Sequence, residues 1–242
     1  FAHARPGTLV LDPFCGSASL LIAAAHFGAE TMGGDIDIRV LRGKERDAAM
    51  PAHCRFARKL GDVAIGPLHN FRQYGLREPL DLMRCDISRP VWRVAEIFDA
   101  IVCDPPYGVR AGARKTGCNK EAKPIPEEMR ATHIPGTVPY GIVDVMNDLL
   151  NFAAKFLRVG GRLVYWLPTA GDFNDDHLPA HPCLRLAHQC EEMVTLRWKR
   201  RLITMVKTHA PTDEDTASCR MTEMGMEAAH DNFPAKYFAS AA

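Results

Sequence analysis

Four aspartates stand where an apolar run gives way to a break: Asp12 after TLVL, Asp35 after TMGG, Asp86 after PLDLMRC and Asp104 after AIVC. An ionised carboxylate is a pure hydrogen-bond acceptor. At Asp104 the break is abrupt, because Pro105, Pro106 and Tyr107 follow. Proline fixes φ and removes an N–H, so this stretch offers carbonyls with no competing donor. Tyr107 adds a flat ring able to stack. Alone, such a stretch is a rigid turn. One acid at a strand end is commonplace too, but four in order need more than chance capping.

The elements that must position these residues follow from apolar patterning. Residues 8–12, 31–35, 79–86, 100–104 and 162–168 read as strands, the second weakened by its glycines. CLRLAHQCEEM and RRLITMVK read as late strands able to form a hairpin. ASLLIAAAHF at 18–27 is rich in helix formers and stops at Gly28; another helix starts near Ile38. Residues 143–157 place Val143, Met146, Leu149, Leu150, Ala153 and Leu157 at helical spacing before Gly160 and Gly161. Residues 43–78, with Arg42, Lys44, Arg46, Arg55, Arg58 and Lys59 around them, read as a partly helical insertion with a solvated or RNA-facing surface. Residues 108–140 read as a long loop, and 208–242 as a weakly structured tail. Strands alternating with helices predict an α/β domain over 1–207 around a mostly parallel seven-stranded sheet with helices on both faces. Ligands of such sheets bind outside the carboxyl ends of the strands, where all four acids would lie.

The chain has 242 residues, enough for one sizeable core. It begins at Phe1 with no signal-like segment and reads as a soluble, cytoplasmic piece of a longer protein, with no stretch fit to cross a membrane. A net charge of +1 gives no strong field for nucleic acid, so such binding would need local clusters or a missing part. Eight cysteines without a close pair read as free thiols in a reducing compartment, with no metal site expected.

Residue chemistry assigns the acids separate tasks. DPFCGSAS joins the first strand to the first helix through small residues that let backbone approach a ligand. No Walker sequence and no GxGxxG is present, which disfavours a nicotinamide cofactor. An acid at the tip of a second strand, here Asp35, accepts from ribose hydroxyls; Asp37 caps the helix after it. Asp86 is placed to accept from an adenine amine, or simply starts a loop.

This order of acids resembles the class I Rossmann-like, S-adenosylmethionine-dependent methyltransferases. Asp104-Pro105-Pro106-Tyr107 resembles the motif of those that methylate planar amino nitrogens. The resemblance implies S-adenosylmethionine as donor, with Asp12, Phe14, Gly16, Ser17, Asp35, Ile36, Asp86, Ile87 and Asp104 around it. It also implies a physical role for the motif. An exocyclic base amine is a poor nucleophile because its lone pair is delocalised. A carboxylate accepting one N–H raises electron density on that nitrogen, a proline-framed carbonyl accepts the other, and Tyr107 holds the base plane.

Longer stretches narrow the resemblance: DPFCGSASLLIAAAHFGA, GGDID, NFRQYGL, FDAIVCDPPYGVRAGARKTG, LLNFAAKFLRVGGRLVYWLP and RRLITM. They are similar to the catalytic subunits of eukaryotic tRNA (guanosine-10 N2)-methyltransferases, from about residue 8 to 207. That implies guanine N2 of tRNA as target, an RNA-capturing domain preceding this one, and a small zinc-binding activator subunit. Arg110, Arg114 and Lys115, just after the motif, are expected to meet RNA phosphates. The usual strand order of such folds puts the third strand at an open edge, where residues 80–85 are expected to pair with the activator. One departure stands out. The family reads Gly-Ser/Thr-Gly where this chain has Gly16-Ser17-Ala18; if that position needs positive φ, alanine costs roughly 1 kcal/mol. Enzymes methylating adenine N6 share the catalytic motif, and glutamine-amide methyltransferases carry Asn in place of Asp104; a catalytically silent RNA-binding subunit is the non-enzyme alternative.

Overall fold

The computed structural model describes residues 1–43, 66–93, 95–107, 112–118, 125–130, 133–170, 173, 178–194 and 198–217. Most of the expected 43–78 insertion, Arg110, and residues 218–242 of the expected tail lie outside these.

The apolar runs form β1 (Leu9–Asp12), β2 (Glu30–Asp35), β3 (Asp81–Arg84), β4 (Phe98–Cys103), β7 (Leu157–Ala170), β8 (Leu184–Met193) and β9 (Trp198–Lys207). They make one seven-stranded sheet in the order β3-β2-β1-β4-β7-β9-β8. The first five of that order run parallel, and β9 lies antiparallel to both β7 and β8. The expected mostly parallel seven-stranded sheet is therefore present, with its terminal hairpin.

Two helices cover opposite faces, and strand alternation decides which residues they meet. Val10, Ala100, Val102 and Val164 pack with Ala24 of α1 (Ser19–His26). Leu11, Ile101, Leu163 and Tyr165 face the other way, into a core with Val145, Met146, Leu149, Leu150, Ala153 and Phe156 of α5 (Ile142–Phe156). The short helices α2 (Ile38–Leu41) and α3 (Pro67–Gln73) add Leu41 and Phe71 to a third cluster beside α1. Asp37 caps α2 as expected, accepting from the Arg39 N–H.

Residues 108–140 are more than a loop. Arg114–Thr116 (β5) and Thr137–Pro139 (β6) pair as an antiparallel hairpin, with a helical turn α4 (Glu127–Arg130) between them. Three-residue strands carry too little alternation to be read from sequence. The expected tail also begins in order: Thr208 donates its N–H to the Cys183 carbonyl, and Asp213–Ala217 form α6. No described helix is long and apolar enough to cross a membrane.

Candidate active site

β1, β2 and β4 end at one rim, and their acids come within electrostatic reach of one another there. Asp12 is buried, and its carboxyl is pushed well above the usual range, first by burial and then by the charges of Asp35 and Asp104. It accepts the Phe14 N–H at 3.0 Å, which starts the turn into α1.

That turn is stitched to β2. Asp35 accepts the Gly16 N–H at 2.9 Å and the Asp37 N–H at 2.8 Å, and Cys15 donates to the Gly34 carbonyl at 2.8 Å. Gly33 in β2 permits this approach, since a Cβ there would stand 3.0 Å from both the Cys15 Sγ and the Leu21 Cδ1. A Cβ on Gly34 would instead stand 2.8 Å from the Cβ of Cys85, which follows β3. Gly16 adopts φ 49, and Ala18 adopts φ 66. Position 18 thus does use the left-handed region, and the alanine there is strained by about 1 kcal/mol. No side chain caps α1; Ser17 is exposed, and its carbonyl accepts from Asn70.

Asp86 follows β3. Its Oδ1 accepts from the Ser88 N–H and hydroxyl at 3.0 and 2.6 Å, and its Oδ2 from the Thr116 N–H at 2.6 Å. Burial alone would raise this carboxyl, but the bonds from Ser88 and Thr116 outweigh it and hold the group below its usual range. Asp86 therefore fastens the hairpin to the rim, a task that sequence did not disclose. Ile87 is buried in the core beneath it, whereas Ile36 and Phe14 are half-buried at the rim. Arg84 spans the same region, donating to the Ile36 carbonyl at 3.0 Å and towards the Pro135 carbonyl at 3.5 Å.

Asp104 emerges exposed directly after β4, while Pro105 is buried beside it. Tyr107 is half-buried and packs against the core. Its phenol is pushed well above the usual range, first by burial, so it stays protonated.

The basic residues near the motif are engaged. Arg114 donates to the Thr137 hydroxyl and carbonyl, both at 2.6 Å. The Lys115 ammonium lies 4.8 Å from the Tyr140 ring centroid and 3.7 Å from Asp144. The Tyr140 hydroxyl in turn donates to Asp148, anchoring the hairpin to α5. Between hairpin and rim is a cleft of about 480 Å³, lined by residues including Ser88, Arg89, Lys115, Thr116, Val138 and Asp148. Thr116, Tyr140 and Asp148 carried no sequence signal, since their bonds span 30 and eight residues and start from a hairpin that the sequence did not disclose.

Comparison with known proteins agrees with this layout. The chain is 48% identical over 207 residues to a Dictyostelium discoideum protein named tRNA (guanine(10)-N(2))-methyltransferase TRMT11, covering 84% of this chain and 37% of that one. Proteins of the same name from Gallus gallus and Homo sapiens are each 40% identical, over 97% of this chain and 50% of theirs. The chain thus spans half or less of the length of these relatives. The model of a family described as RMKL-like, methyltransferase domain (UPF0020) matches residues 1–121, half of the chain. With its strand order and its rim of acids, the chain belongs to this RMKL-like methyltransferase domain family.

Proposed function

We propose that this chain is the catalytic domain of a tRNA guanine-N2 methyltransferase using S-adenosylmethionine, with guanosine 10, the position in its relatives' names, as target. The observation that carries this is the exposed Asp104 carboxylate at the end of β4, beside Pro105–Tyr107 and within electrostatic reach of Asp12.

The rim suits the donor. Asp35 is held at the end of β2 by two backbone N–H groups, and its carboxylate is the kind of acceptor that ribose hydroxyls need. Asp86 stands beside it as the acceptor for an adenine amine, which would compete with Ser88 and Thr116 for its oxygens. Phe14, Ile36 and Ile87 supply apolar surface next to them, and the turn at Gly16 and Ser17 brings small residues alongside, with the Asp12 carboxyl beneath. When bound, S-adenosylmethionine supplies an electrophilic methyl group. The protein's part is at the acceptor. Asp104 accepts one N–H of the guanine amine, the Pro105 carbonyl accepts the other, and Tyr107 holds the base plane. Most of the acceleration is then positioning and electrostatics. The amine proton leaves to Asp104 or to solvent.

Arg110, Arg114 and Lys115 are assigned to RNA phosphates. Arg114 is exposed and carries five N–H donors, more than Thr137 uses. β3 lies at the sheet edge and, among the described residues, pairs only with β2. Leu80 beside it is 56% exposed. An edge of this kind suits strand addition by an activator subunit over residues 80–85. Free cysteines fit a reducing, cytoplasmic setting, and residues 1–207 are taken as the methyltransferase domain, with 208–242 beyond it.

The test is mass spectrometry of nucleosides from tRNA incubated with labelled donor and the full-length protein with its partner. N2-methylguanosine at position 10 is the expected product. Labelled adenine or labelled protein would replace this function with one of its rivals, and no label would leave an RNA-binding subunit.

A further inference from the structure

At the opposite rim from the acids, three metal-binding side chains converge. β9 runs antiparallel to β7, so its end at Lys207 lies beside Leu184 and near the start of β7. Cys183, just before β8, His209, just after β9, and Asp215 in α6 meet there, with one ligand atom from each within 4.8 Å of the others. Cys183 is fully buried, His209 exposed and Asp215 half-buried.

The hydrogen bonds fix what these groups offer. The Thr208 hydroxyl donates its one proton to the Cys183 carbonyl at 3.1 Å. At 2.9 Å from that hydroxyl, the His209 Nδ1 must then be the donor. Nε2 points inward, 3.6 Å from the Cys183 Sγ and 3.6 Å from the Asp215 Oδ2, and in the neutral ring it presents a lone pair there. Asp215 Oδ2 is oriented by the Thr212 N–H and hydroxyl, each at 2.8 Å. Three electron-rich atoms thus face one another, and a single S–H can serve only one of its two neighbours. A cation between them serves all three. His181, close by, is committed elsewhere: its Nδ1 accepts from the Cys183 N–H, leaving Nε2 to donate to Asn151.

The spacing suits zinc. Zinc–sulfur and zinc–nitrogen bonds of about 2.3 and 2.05 Å at a tetrahedral angle put sulfur and nitrogen about 3.6 Å apart, and the separation here is 3.6 Å. Thiolate, imidazole and carboxylate together suit zinc rather than calcium or magnesium. We propose that Cys183, His209 and Asp215 bind one zinc-class divalent ion through three protein ligands and one open position, clipping α6 to the β8–β9 hairpin. On binding, the Cys183 S–H bond breaks, the sulfur–metal bond forms and the proton leaves to solvent. The ligands are 26 and six residues apart in sequence, so no close pair advertises them.

The test uses the 242-residue chain after chelator treatment, titrated with cobalt(II) alone. The expected result is one equivalent bound, with thiolate-to-cobalt charge-transfer absorption and the visible bands of a four-coordinate ion, both displaced by zinc. Loss of an outer partner typically costs 10–100-fold in metal affinity, so losing a ligand in His209→Ala or Asp215→Asn should cost more than about 100-fold. His209 is exposed, so His209→Ala should keep the wild-type circular dichroism. Absence of the charge-transfer band in the wild type would overturn the proposal. So would unchanged affinity in His209→Ala, which would place the ion on other cysteines and leave an imidazolium–carboxylate pair here.

Discussion

The Thr116 N–H donates to the Asp86 carboxylate at 2.6 Å, joining the β5–β6 hairpin to the acid that follows β3. The two residues are 30 apart in sequence, and neither strand of the hairpin would hold by its own length. Asp86 thus connects the rim proposed to hold the donor to the segment that follows Asp104–Tyr107.

Asp86→Asn should loosen that connection. The amide oxygen can replace only one carboxylate oxygen, and the new NH₂ would face a donor. A loss of about 1–2 kcal/mol is expected at neutral pH. Because the folded carboxyl sits below its usual range, its contribution is present above the unfolded value of about 3.9 and is lost as pH falls through the lower folded value. Denaturant titrations of both proteins should therefore differ at pH 7 and converge as pH falls through the lowered folded value. A gap that persists in acid would mean that Asp86 stabilises through packing instead.

How much of this was legible in sequence depends on range. Asp12, Asp35 and Asp104 end runs whose apolarity announces a buried strand, so both sheet and rim could be placed. Ala18 was legible only as a departure from a family pattern, and its φ of 66 makes that departure a real strain. Gly33 and Gly34 were misleading, because strand propensity says nothing about a turn that must lie against β2. The hairpin and the Cys183–His209–Asp215 cluster rest on contacts between irregular segments, and the Tyr140–Asp148 bond joins such a segment to α5; periodicity carries no signal for any of them.

Gly34→Ala tests the packing of β2 against Cys85, which follows β3. The added methyl group would meet the Cys85 Cβ at 2.8 Å, an atom that cannot swing aside. Overpacking of this kind costs about 1–3 kcal/mol. Donor affinity, measured by calorimetry, should fall with stability, because the turn carrying Gly16 rests on this strand. Unchanged stability together with unchanged affinity would show that Cys85 gives way to the methyl group.

Asp12 has the opposite sign to Asp86. Its folded carboxyl is raised, chiefly by burial, so the native state holds the proton more tightly than the unfolded chain. That stability is fully present below the unfolded value of about 3.9 and is lost as pH rises through the folded value. Asp12→Asn keeps an oxygen for the Phe14 N–H but has nothing to ionise. The variant should therefore gain on the wild type as pH rises above about 4, with the difference levelling off once Asp12 is ionised. Parallel stability curves between pH 4 and 8 would argue that water or a neighbour already relieves its burial.

Asp35 and Asp104 should separate donor binding from chemistry. Asp35→Ala removes the acceptor proposed for ribose and also two backbone bonds of the turn, so donor affinity should fall roughly tenfold or more. Asp104 is exposed at the end of β4, and its removal should disturb neither core nor turn. Asp104→Ala should thus bind the donor nearly as the wild type does. In the full-length complex its methyl transfer should drop by at least about 10²–10³-fold, the usual cost of losing one preorganised group at a reacting centre. Calorimetry with the donor and single-turnover methylation of tRNA measure the two effects separately. If Asp104→Ala methylates tRNA near the wild-type rate, the amine is not activated by this carboxylate. If it loses donor binding as severely as Asp35→Ala, Asp104 belongs to the donor pocket instead.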